Sequence, residues 1–167
     1  MFKELLAQME EMGGLFKAKP ISETALTETN EDLNTLHLTL PEEYVDLLQI
    51  TDGLYWGGLE FFGSSIVIDK KNGFSITDLI SQNRIYQALN PGVRKVFLGR
   101  SDEENFLYNE TEKKFEIVDE FSGELVKSFP LFESLFDYIV SEQIELIQNY
   151  VGFNEDDIRD EETDADF

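Results

Sequence analysis

The chain has 167 residues, 41% of them hydrophobic, and carries 35 acidic against 13 basic residues, a formal net charge of −22. Its 14 Phe, 6 Tyr and 1 Trp supply enough apolar mass for a core, and the lack of cysteine excludes disulfides and thiolate metal sites. A field this negative repels nucleic acid and anionic membranes and speeds encounter with basic partners, although acidity also serves solubility.

Phe2, Leu5, Leu6, Met9 and Met12 fall at helical spacing before Gly13-Gly14, so residues 1–14 are expected to form an amphipathic helix that packs on the body. Acids interrupt this segment every few positions, which fits neither a signal peptide nor a membrane span, and the expected location is the cytoplasm. Residues 17–30 show no period and read as a loop, with Thr29 or Asn30 capping a short helix through Leu33. Leu36, Leu38 and Leu40 alternate with polar residues, which predicts extended chain with His37 facing outward.

Leu40-Pro41 then opens a helix, because proline fixes φ near the helical value and its missing N–H falls where the first turn has no partner for it. Glu42 and Glu43 suit the positive end of the helix dipole. Tyr44, Leu47, Leu48 and Thr51 share one face, and Asp52-Gly53 is expected to stop the helix. Two apolar runs follow, Leu59–Phe62 and Ser65–Ile68, and then a turn at Lys70–Gly73. A second helix begins at Thr77-Asp78, with Leu79, Ile80, Tyr86 and Leu89 expected inside, and ends at Asn90-Pro91-Gly92. Strands are predicted at Val93–Gly99, Asn105–Asn109, Phe115–Asp119 and Leu125–Phe129, and the short polar turns between them favour antiparallel pairing. A last helix covers residues 130–150, and Glu155–Phe167 is so acidic that residues 154–167 are expected to be a disordered tail.

The expectation is one domain over residues 1–153. Its class is α+β: a largely antiparallel, meander-like curved sheet of about six strands, backed by helices on one side.

The search for chemistry yields few residues. His37 is the one histidine, which leaves Ser–His and His-based metal sites without a partner. Gly57-Gly58 and Gly63 precede a strand, whereas a phosphate cradle needs a helix N-terminus after its glycines. Neighbouring carboxylates such as Glu103-Glu104 follow from composition, and the acidic tail lacks the glycine of a calcium loop. No catalytic, cofactor-binding or metal-binding residue is assigned. Two stretches remain as candidate partner contacts. Tyr55-Trp56 sits on a turn, either as an exposed aromatic anchor or with Trp56 folded back over the core. Asp102, Glu103 and Glu104 follow Gly99 on a loop, either as an acidic contact or as an ordinary solvated hairpin turn.

The residues Leu40, Pro41, Tyr44, Leu47, Leu48 and Gly53, then Gly58-Leu59, Phe62-Gly63, Val96, Gly99 and the Phe106–Tyr108 strand, resemble the signature of the SUKH superfamily, and within it the YrhA-like branch. Asp52 stands where that signature usually has asparagine; both side chains favour turns. The resemblance runs from about Leu33 to Val140 and rests on apolar and turn positions. It implies the fold, and it implies a function: many members are immunity proteins, or antitoxins, that bind and neutralise a toxin encoded beside them, often a nuclease. The expectation is therefore a non-enzymatic module that binds a basic toxin domain. The alternatives are a regulatory interaction protein of the same fold with no toxin partner, using the aromatic turn, and an enzyme working through carboxylates alone.

Overall fold

A computed structural model describes the backbone of residues 2–164 and the side chains of residues 2–150. Among the described residues, five helices accompany a seven-stranded sheet and a separate two-stranded one, an α+β architecture that does not close into a barrel. The chain divides into two compact units, one running through Leu135 and the other from Phe136 onward. The second unit is the continuation of the last helix, α5 (Phe132–Asp164). The side chains and last residues of the expected disordered tail lie outside the described residues. No helix among the described residues is long and apolar enough to cross a membrane.

Helix α1 (Phe2–Met12) buries Phe2, Leu5, Leu6 and Met9, as its spacing predicts, while Met12, at the helix end, is exposed. The stretch expected to be a loop is instead strand β1 (Phe16–Lys17) followed by α2 (Glu23–Thr35). Ser22 caps α2, its hydroxyl accepting from the Ala25 amide at 3.1 Å. Thr29 lies mid-helix and donates to the Ala25 carbonyl at 2.8 Å, so neither it nor Asn30 is a cap. His37 is exposed as expected, but in the left-handed turn that ends α2 (φ 60°) and not in an extended segment.

Helix α3 (Glu42–Leu48) starts with Pro41 in extended conformation at the N-cap and buries Tyr44, Leu47 and Leu48 completely. It stops at Leu48, short of Asp52-Gly53, which instead makes the turn into β2 (Leu54–Trp56). At that turn Gly53 has φ 89°, and a Cβ there would meet Ile76 Cγ2 at 2.5 Å. A Cβ on Gly63 would collide with the Asp52 carbonyl, and one on Gly99 with the Glu60 carbonyl. Gly63 and Gly99 thus mark where the chain touches backbone to backbone. Asp52 fixes the junction as an acceptor at both oxygens, one taking the Ser64 amide at 2.7 Å and the other the Ser64 hydroxyl.

The main sheet runs β1–β2–β3–β6–β7–β8–β9, every neighbour antiparallel, with β3 (Leu59–Phe61), β6 (Lys95–Arg100), β7 (Glu104–Asn109), β8 (Lys114–Asp119) and β9 (Leu125–Phe129). The two-stranded sheet pairs β4 (Val67–Ile68) with β5 (Ser75–Ile76). Tyr55-Trp56 is therefore strand, and the turn it was expected to occupy comes at Gly57-Gly58.

One face of the sheet is closed by aromatic packing. The Phe132 ring centre lies 5.6, 5.3, 5.9 and 5.5 Å from those of Phe2, Tyr44, Phe61 and Phe115. The Tyr44 hydroxyl donates to the carbonyls of Phe62, just past β3, and Leu98 in β6, tying α3 to the sheet. The opposite face is also covered, by α4 (Leu79–Leu89), which corrects the expectation of helices on one side only. Leu79 and Ile80 are buried as expected, and the tie to the sheet is completed by a polar residue. Buried Asn83 donates to the Phe97 carbonyl at 2.9 Å and accepts from the Phe97 amide at 2.8 Å, while also donating to the Leu79 carbonyl within its own helix. Leu89, expected inside, is 76% exposed, and Tyr86 is half-buried.

Candidate functional site

Antiparallel order places three turns at the same end of the sheet. Glu60 pairs with Arg100 and Glu104 with Asp119, so the β2–β3, β6–β7 and β8–β9 turns all lie beyond that row. Contacts between the turns lock them together. A Cβ on Gly58 would touch the Asp102 carboxylate at 3.4 Å, and the Glu120 amide donates to the Glu103 carbonyl at 2.9 Å. The two stretches singled out in the sequence, Tyr55-Trp56 and Asp102–Glu104, are thus neighbours.

Each turn is held by its own residues. Ser101 receives the Glu104 amide on its hydroxyl at 3.2 Å and donates its own amide to the Glu104 carbonyl at 2.8 Å. One oxygen of Asp119 accepts the amides of Phe121 and Ser122, at 3.0 and 2.8 Å, and the Ser122 hydroxyl at 3.1 Å. These bonds favour the ionised form, with the Ser122 amide foremost, and lower the Asp119 pKa. Asp102, Glu103, Glu120 and Glu124 stand exposed on these tips. Arg100, at the same end, is engaged: its Nε lies 3.1 Å from the nearly buried Glu60, its Nη1 3.4 Å from Gln82, and its guanidinium sits over the Phe62 ring. The local potential is accordingly negative.

Trp56 is not part of this surface. It is 1% exposed, and its indole N–H donates to the Gly13 carbonyl at 3.0 Å, so it closes over the core. Tyr55 is half-buried and stacks on Phe74 with ring centres 4.6 Å apart. The exposed aromatic at the acidic end is Phe121, at 83%, on the tip of the β8–β9 turn. It passed unnoticed in the sequence; its one signal is a bulky aromatic inside Asp119-Glu120-Phe121-Ser122-Gly123, a turn with no need of one.

A groove of about 500 Å³ opens beside the acidic turns, between α4 and the sheet. Ile85, Tyr86 and Leu89 form one wall, Leu107 and Val118 lie on the floor, and Asp119 and Glu120 stand at one mouth. Beyond Tyr86, Lys95 pairs with the buried Glu116 at 2.7 Å. Burial raises the Tyr86 pKa, with Lys95 opposing and Glu116 reinforcing the shift, so its hydroxyl stays protonated. Among the described residues no group of three or more His, Asp or Glu is placed to hold a metal ion. The exposed carboxylates stand on separate tips in water, an arrangement suited to attracting and orienting a positively charged surface.

Fold and site together define an α+β protein built on an open antiparallel sheet, with an acidic rim at one end and a groove of mixed apolar and polar lining beside it. Set against known proteins, the chain matches no family model, and no curated protein matches it.

Proposed function

We propose that this chain is a non-enzymatic, protein-binding module that neutralises a basic toxin domain, such as a nuclease, by covering its positive surface: an immunity protein of the SUKH type. The observation that carries this reading is the gathering of Asp102, Glu103, Glu120 and Glu124 on two coupled turns, β6–β7 and β8–β9, whose nearby arginine is committed to Glu60. A surface that binds nucleic acid is positive, and an acidic rim competes for it through fast, steered encounter and charge-assisted hydrogen bonds. Binding, not turnover, is the whole activity.

The experiment is to co-express the product of the adjacent reading frame with and without this chain and to score survival and co-purification. Protection that is lost on reversing Asp102, Glu103 and Glu120 to lysine, with the fold intact, supports the reading. A chain that neither protects nor binds leaves the same fold serving a regulatory contact without a toxin.

A further inference from the structure

We infer that the groove between α4 and the sheet is the apolar half of the same interface, and that it takes a bulky apolar side chain from a segment of the basic partner whose flanking Lys or Arg residues lie on the acidic turns. This rests on the reading of the acidic rim as the partner surface.

Three observations carry it. The groove, at about 500 Å³, is within the range of clefts that hold ligands, roughly 300–1,000 Å³. Ile85 and Leu89, four residues apart on α4, leave 55% and 76% of their surface in water at its rim, where an amphipathic helix would ordinarily be polar. Asp119 and Glu120 line its mouth and continue into Asp102 and Glu103 through the bond from the Glu120 amide to the Glu103 carbonyl. The lining is mixed: apolar Ile85, Leu89, Leu107 and Val118 alternate with polar side chains, and its two cations, Lys95 and Arg100, are each paired with a glutamate, Glu116 and Glu60. The unpaired charge at the mouth is therefore that of Asp119 and Glu120, and it matches an apolar residue flanked by cations. A second copy of this chain, at −22, would bring like charge to that mouth and is disfavoured. In such a contact the rim sets encounter and the groove sets residence, because buried apolar contacts act mainly on dissociation.

Two fluorescein-labelled peptides test it with the full chain. Both carry two lysines on each side of a central pair, which is Phe-Leu in one and Ser-Ser in the other. The apolar peptide is expected to bind at least about tenfold more tightly, the effect of burying one large apolar side chain. The double variant Ile85→Ser, Leu89→Ser should erase that difference while leaving the weaker, salt-sensitive binding of both. The triple variant Asp102→Lys, Glu103→Lys, Glu120→Lys should weaken both peptides. Equal binding of the two peptides to the wild-type chain overturns the groove and leaves the acidic rim standing; binding of neither overturns both. Sedimentation of the chain alone adds a check. A dimer that the Ile85, Leu89 variant dissociates would identify a second copy as the occupant and overturn the proposal.

Discussion

The two faces of the sheet are built on opposite principles. On one, Phe132 gathers Phe2, Tyr44, Phe61 and Phe115 into a dry aromatic cluster, and the Tyr44 hydroxyl stitches α3 to the strands beneath. On the other, α4 is held at its start by buried Leu79 and Ile80 and by the amide of Asn83, and its second half leaves Ile85, Leu89 and a groove open to water. The closed face secures the fold, and the open face is free to hold something else. Substitutions should therefore divide sharply in their effects on stability and on binding.

The largest effect is expected at the junction that supports the closed face. Gly63→Ala drives a methyl into the Asp52 carbonyl, a rigid neighbour, and should cost upward of about 3 kcal/mol, read as the denaturant midpoint. Leu48→Ala removes a fully buried side chain from α3 and should cost about 2–5 kcal/mol in the same assay. A loss below about 1 kcal/mol would mean that the face relaxes far more readily than its packing implies.

Tyr44→Phe keeps the ring and deletes the hydroxyl, for an expected loss of about 1–3 kcal/mol. Burial, with Asp52 and Glu60 reinforcing it, holds the Tyr44 pKa well above its ordinary value. The folded state thus keeps its proton more tightly than the unfolded chain. That contribution is complete below the unfolded pKa of about 10 and is lost as pH climbs past it. Thermal melts should fall off above that pH in the wild type and less steeply in Tyr44→Phe; parallel profiles would show that the phenol plays no part. Smallest of all, Ile85→Ser with Leu89→Ser should move stability by only about 0.5 kcal/mol, since both side chains already face water. A cost near that of Leu48→Ala would erase the contrast between the faces.

The closed face was legible in the sequence because apolar periodicity reports burial. Tyr44, Leu47 and Leu48 declared their face, and Phe2, Leu5, Leu6 and Met9 that of α1. The open face was not, for physical reasons. The first turn of α4 follows the apolar pattern, with Leu79 and Ile80 buried as expected, but the middle of the helix docks through Asn83, a polar residue that an apolar pattern cannot score. The pattern therefore does not show that Leu89 faces water or which face of the sheet the helix covers. α2 hid because Thr, Asn and Glu dominate it and burial of Leu33 outweighs weak propensity. Each acidic turn was visible by itself. Their convergence was not, since it depends on pairing between strands distant in sequence. Trp56 reads in the sequence as either anchor or core, because local residues do not tell which face of a short strand beside a turn is covered.

The most direct measurement is the association rate of the adjacent gene product with this chain as salt is raised, for the wild type and for Asp102→Lys, Glu103→Lys, Glu120→Lys. The account predicts a wild-type rate that drops steeply between low and physiological ionic strength, as charge is screened. It also predicts a variant at least about tenfold slower at low salt, with an unchanged circular dichroism spectrum. A rate that ignores both salt and charge reversal would contradict it.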